Sequence, residues 1–372
     1  MFNSIEEFLV FAKANKFPVL EGDPEIGQWY RVPIPGAVSA NGSPYWGYYR
    51  KGTEPNLIVS FSGGGVSINE YTAARPTVLD ISAGEVENFY SSVDLLPAID
   101  LILNKGIFDQ AIDNPYRNWN CIFVGYVTGD FHVGNGDFHY TAPDGSPAVV
   151  HHHGYRNYRM LLDEVIQYVV SPEKLLITGS SAGAFGASGL ASDIMSYFPE
   201  CEDVTCCPDS SLLLHDEWKH IAQNVWHADE AIWKPLNSRN ICLDWLRGLY
   251  ADKRDKVKYL YICSVRDNEL ARYQNYVDQG QLKFDRDKAI QFQKDLKDMV
   301  QELKVGIPGI GIFLFDTPAP GADPELLGTQ HCLIQDEGFS KPLSHGYSLR
   351  DWLWNAMNGN IQDVGLELLD KK

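Results

Sequence analysis

The stretch Lys174–Gly183, KLLITGSSAG, decides the fold. Its apolar run Leu175–Ile177 reads as a buried strand, and Gly179-Ser180-Ser181-Ala182-Gly183 fits G-x-S-x-G where that strand must give way to a helix. The spacing has a physical reason. A serine on so tight a strand-to-helix turn has its hydroxyl lifted above the sheet, and only glycine-sized neighbours fit around it. The helix that follows offers free N–H groups and the positive end of its dipole to developing negative charge. Ala184, Gly186 and Ala187 keep its first turns slim enough to lie close to the sheet. G-x-S-x-G alone is common, but between an apolar strand and a small-residue helix it is specific. Ser180 is the alternative hydroxyl, and the glycine spacing selects Ser181 as the nucleophile.

Outward from this turn, apolar runs alternate with helical patterns. The strand readings are Gln28–Val32, Tyr45–Arg50, Asn56–Phe61, Asn120–Val127, Lys174–Thr178, Asp203–Cys207, Lys258–Ser264 and Ile310–Phe315. Helical spacing runs through Tyr155–Val170, Ala182–Tyr197 and Lys288–Leu303. This rhythm predicts an α/β fold with a mostly parallel central sheet flanked by helices. No repeat or linker divides the chain, so residues 1–372 read as one domain. The stretch 212–256, with Trp218, Trp226, Trp233 and Trp245, breaks the rhythm and reads as a helical cap insertion over the sheet's C-terminal edge, where such sheets bind ligands. Tryptophans that merely pack this segment on the core are the plainer reading.

Leu57–Ser67, LIVSFSGGGVS, is an apolar strand emptying into three glycines. Glycine lets the backbone approach an oxyanion closely, and Gly64, Gly65 and Ala182 are the expected donors. A phosphate-cradling loop is the rival, but the Lys-Ser/Thr ending and the dinucleotide spacing are missing. A serine hydrolase also needs an imidazole base and a carboxylate to orient it, in the chain order Ser, Asp, His. His331, in GTQHCLI after the last core strand, is the expected base, with His345 the fallback; His215, His220 and His227 precede the favoured acid. That acid is Asp267 in SVRDNELARYQ. Asp209 lies after the preceding strand and Asp316 after the next one, and Asp209 stays open because related folds sometimes place the acid one strand earlier. A lone Asp after a strand is more often a helix cap.

Composition narrows the partners. The 372 residues are 44% hydrophobic, enough for a large core without disulfides or metals, and the formal net charge of −18 repels nucleic acid and anionic lipid. The 19 Tyr and 9 Trp suit sugar faces, though they suit cores equally. No run spans a bilayer. The N-terminus lacks a basic n-region, and Phe8, Leu9, Phe11 and Ala12 suggest an amphipathic helix instead of a signal peptide. The expectation is an intracellular protein, or a secreted one if a leader has been removed. Seven cysteines without a C-x-x-C pair read as reduced thiols, Cys206 and Cys207 facing opposite ways on one strand. His151–His153 raise a metal site, but adjacent side chains rarely converge on one ion, so solvated loop histidines are expected and metal is not.

With these motifs in place, the chain resembles the pectin acetylesterase and Notum family of α/β-hydrolases, from about Asn56 to the RDWLWNAMNG helix. The resemblance rests on SGGG at Ser62–Gly65, NWN followed by YVTGDFHVGN at Asn118–Asn135, TGSSAGAFG at Thr178–Gly186, PDSSLLLHD at Pro208–Asp216, SVRDNE at Ser264–Glu269 and His331-Cys332. It implies a Ser181–Asp267–His331 triad, no organic cofactor or metal, and a GDFHVGN loop beside the active site whose Asp130 and His132 touch substrate, turn stabilisation being the alternative for Asp130. Val66, Ser67 and Val127 depart from the aromatic and cysteine residues common there. The implied activity is deacetylation of O-acetylated carbohydrate, with Arg156 and Arg159 available as a local basic patch. Hydrolysis of longer acyl esters and a non-catalytic carbohydrate-binding role are the alternatives. The expected partner is a small-molecule or carbohydrate ester. Oligomeric state is not legible.

Overall fold

The computed structural model describes residues 17–77, 87–92, 103–169 and 171–371. The helix expected around Phe8–Ala12 lies outside them. Eight strands form one sheet: β1 (Trp29–Val38), β2 (Pro44–Arg50), β3 (Asn56–Phe61), β4 (Asn120–Val124), β7 (Lys174–Ser180), β8 (Asp203–Asp209), β9 (Val257–Ser264) and β10 (Gly311–Phe315). Their order is β1-β2-β4-β3-β7-β8-β9-β10. The β1–β2 and β2–β4 pairs are antiparallel and every later pair is parallel. A separate antiparallel hairpin joins β5 (Gly136–Thr141) to β6 (Pro147–His152), which the sequence reading missed.

Strands buried on both faces explain the continuous apolar runs. On β3, Leu57, Val59 and Phe61 enter one core cluster and Ile58 the other; on β7, Leu175 and Ile177 oppose Leu176. Cys206 and Cys207 divide between the same two clusters. The first face is covered by α2 (Gly154–Val165) and α3 (Ala182–Tyr197), and the second by α9 (Leu349–Met357). A short α1 (Glu70–Ala73) follows the glycine loop. All seven cysteines are free. Among the described residues no helix is long and apolar enough to cross a membrane.

Between β8 and β9 lie α4 (Trp218–Asn224), α5 (Glu230–Trp233) and α6 (Ile241–Lys253). Helix α6 packs against α3 and against α8 (Arg286–Gly306), in the flanking layer. Trp218, Trp226 and Trp245 are buried. Trp218 and Trp226 pack on Phe131, with centroids 5.8 and 5.3 Å away. Of the 212–256 stretch, Leu213 reaches the cavity described next.

Candidate active site

The turn at Ser181 is as tight as its sequence demands. Ser181 has φ 56° and ψ −125°, a conformation a β-carbon normally avoids, immediately before α3. Its N–H donates to the Asp209 carbonyl at 3.0 Å, which pins the turn to β8. A Cβ on Gly183 would lie 2.1 Å from the Phe61 carbonyl oxygen, so only glycine lets α3 start this close to β3. Ser181 and Ala182 line a cavity of about 340 Å³, together with Gly63, Gly64, Gly65 and His331. Ser180 reaches it too, but its Oγ is buried and has no hydrogen-bond partner among the described residues.

The glycine loop closes on the serine. Val66 N–H donates to Phe89 O and Ser67 N–H to Gly129 O, fixing the loop from behind. Among the described residues, the amides of Gly64, Gly65 and Ala182 have no protein acceptor, and all three residues face the cavity. A Cβ on Gly63 would stand 2.7 Å from Ser181 Cβ and 2.8 Å from Ser180 O. Gly63→Ala must therefore push the loop off the serine. Because losing one oxyanion donor costs about 10²–10³ in kcat, we expect a fall on the order of 100-fold on p-nitrophenyl acetate with the circular dichroism spectrum retained. An unchanged kcat would mean that the loop is not where the oxyanion sits.

His331 and Asp267 meet at the far side. Asp267 ends the loop after β9 and caps α7 (Asn268–Gln279), Oδ1 accepting from Glu269 and Leu270 N–H, while Oδ2 lies 2.7 Å from His331 Nδ1. The carboxylate that caps α7 is thus the one that holds the His331 ring. Burial disfavours a charged His331, but the Asp267 carboxylate and Cys332 together outweigh it and hold the pKa well above the ordinary histidine value. No hydrogen bond joins Ser181 Oγ to His331 among the described residues. Such bonds often form only once substrate is bound.

Asp209, the alternative acid, does something else. Its buried carboxylate accepts Leu333 N–H at 2.6 Å and Ile334 N–H at 2.7 Å, holding the loop that carries His331. Burial raises its pKa to about 6 against those amide bonds. Asp316 takes Ser344 Oγ and Lys371 Nζ, each at 2.6 Å, and His345 Nε2 contacts Leu314 O at 3.1 Å. Neither faces the cavity, nor do His215, His220 and His227.

Of the two expectations for this loop, turn stabilisation is the one Asp130 fits, and neither Asp130 nor His132 reaches the cavity. Both are fully buried behind the cavity wall instead of touching its contents. Asp130 accepts from Thr128 Oγ1, His132 N–H and Gly154 N–H, and burial raises its pKa to about 6. His132 Nε2 lies 2.9 Å from Ser62 O, and burial lowers its pKa to about 4, so it stays neutral and braces the glycine loop. Phe131, between them, is the residue of this loop that lines the cavity, an alternation the sequence did not disclose. Arg156 bonds Asn135 and Arg159 pairs with Asp193, so neither lines the cavity as a basic patch. Glu269 does line it. The histidine triplet is not a solvated loop: His151 and His152 end β6, and His152 is fully buried.

A family model described as Pectinacetylesterase matches residues 32–236, more than half of the chain. The chain belongs to the pectinacetylesterase family. That places this pectinacetylesterase-family protein among carboxylic ester hydrolases. Two crystal forms of the Wnt deacylase Notum from Drosophila share its fold, with TM-scores of 0.58 and 0.56 at 15% and 14% identity; each alignment covers 88% of this chain and 92% of the Notum chain. No curated protein sequence matches it. The family match contains the glycine loop, the Ser181 turn and Asp209, but ends before Asp267 and His331. Their pairing therefore rests on geometry alone.

Proposed function

We propose that this chain is a serine carboxylesterase that deacetylates O-acetylated carbohydrate through Ser181, His331 and Asp267. The carrying observation is convergence: a serine on a strained turn, unengaged amides and a carboxylate-bound imidazole share one cavity. In the cycle, His331 Nε2 takes the Ser181 proton as Oγ attacks the ester carbonyl carbon. The carbonyl electron pair moves onto oxygen, where the Gly64, Gly65 and Ala182 N–H groups hold it. The tetrahedral adduct collapses, and His331 returns the proton to the leaving alkoxide. Water then attacks the acyl-serine by the same route. Asp267 stabilises the imidazolium in both halves. A polyanionic chain of free uronates fits poorly beside Glu269 on a protein carrying −18, so neutral acetylated sugars suit the site better.

One observation favours the second reading, a hydrolase of longer acyl esters. Val66, Phe131, Phe185, Leu213, Leu270 and Tyr273 give the cavity an apolar wall, and its volume is ample for more than an acetyl group. A series of p-nitrophenyl esters from acetate to decanoate, run beside acetylated xylose and acetylated pectin, separates the two. Carbohydrate deacetylation predicts kcat/KM highest for acetate. Each buried CH₂ is worth about 0.8 kcal/mol, so a true acyl slot predicts a rise of about fourfold per methylene until the pocket is full. Absence of turnover on every ester would overturn both readings and leave a binding protein.

A further inference from the structure

We propose that Asp137, His151 and His153 form a binding site for a divalent transition-metal ion of the Zn²⁺ class, separate from the esterase cavity. The hairpin creates it. Asp137 on β5 is the cross-strand partner of His151 on β6. Residues two apart on a strand share a face, so His153, one residue past β6, comes to the same side as His151. His152 points the other way, its Nδ1 2.7 Å from Thr128 O. The triplet thus contributes alternate members, which removes the objection that neighbouring side chains diverge.

The geometry is close to what an ion needs. Asp137 Oδ1 lies 2.8 Å from both His151 Nδ1 and His153 Nε2, and the three candidate ligand atoms all lie within 4.8 Å of one another. Zinc holds imidazole nitrogen and carboxylate oxygen at about 2.0–2.2 Å, which in a tetrahedron spaces ligand atoms by roughly 3.3 Å. Opening each contact by about half an ångström needs only small side-chain rotations. Two imidazoles and a carboxylate select the zinc class over Ca²⁺ or Mg²⁺, which demand oxygen ligands. A water completes the set from the solvent side, where Asp137 is exposed. None of the three lines the esterase cavity.

The position gives the ion a structural task. His153 precedes Gly154, whose N–H the Asp130 carboxylate holds, and Tyr155 N–H returns to Gly134 O. A metal here clasps the two ends of the 136–153 excursion beside the loop that braces Ser62. The test uses the full chain after chelator treatment. Equilibrium dialysis against Zn²⁺ should retain one ion per chain. His151→Gln with His153→Gln should lower that affinity by at least about 100-fold. Saturating Zn²⁺ should raise Tm in the parent and leave the double variant unmoved. Co²⁺ in the parent should give the intense visible bands of a tetrahedral nitrogen-oxygen site, a readout independent of whether the variant folds. No stoichiometric ion in the parent, equal affinity in the variant, or a featureless Co²⁺ spectrum would each overturn the site. Esterase rates play no part in these readouts, so the metal site and the proposed activity fail separately.

Discussion

Ser181→Ala is expected to reduce kcat/KM on p-nitrophenyl acetate by on the order of 10⁶, to the level left by binding and amides alone. The loss is this large because the neighbouring hydroxyl of Ser180 is not placed to take the serine's role. Ser180 reaches the same cavity, but its Oγ is buried at the end of β7, and Ser181, unlike Ser180, has the positive φ that lifts a side chain out of the sheet. The alanine loses one hydroxyl and keeps the backbone that seats Ser181 N–H on Asp209 O, so Tm should hardly move. A stopped-flow burst of p-nitrophenol, stoichiometric with enzyme in the parent and absent in the variant, separates acyl-enzyme chemistry from surface hydrolysis. Retained bursts in Ser181→Ala with loss in Ser180→Ala would move the nucleophile by one residue.

The second large effect belongs to Asp267→Asn, with an expected kcat loss of about 10⁴. Asparagine keeps an oxygen for the α7 cap but presents the base with an amide that cannot hold the required tautomer. Fold and chemistry are thereby separated in one substitution. The same variant tests the electrostatics. A general base works only when neutral, so activity falls as pH drops through the His331 pKa. In the parent that acid limb should lie above the ordinary histidine value, because the carboxylate favours the imidazolium. Removing the charge should shift the limb toward lower pH. A limb that stays put in Asp267→Asn would show that another group sets it.

The two halves of the molecule differ in how openly the sequence declares them. The parallel strands are legible because both faces are buried, which forces unbroken apolar runs such as Leu57–Val59 and Leu175–Ile177. The Ser181 turn was legible because strand, glycines and slim helix each constrain the same ten residues. The β5–β6 hairpin was not, since Gly136–Thr141 keeps one flank toward solvent and mixes polar with aromatic residues. For Asp130 and His132 the sequence leaves substrate contact and turn support open, for a related reason. Polar residues beside a functional loop suggest contact with substrate, yet buried ones serve equally well as hydrogen-bond struts, and composition does not tell inside from outside. Asp209 illustrates the converse: the sequence suggests a residue beyond the strand, whereas it closes β8, and its partners Leu333 and Ile334 lie more than a hundred residues away.

That last residue has a mechanical meaning. The amide of Ser181, the proposed nucleophile, sits on Asp209's carbonyl and the backbone behind the His331 imidazole sits on its carboxylate, so the gap between them is spanned by the covalent frame of one amino acid. Bond lengths do not drift as loops do. A shift of β8 drags both partners along together, and the site can ride on a sheet whose edges change without losing its internal spacing.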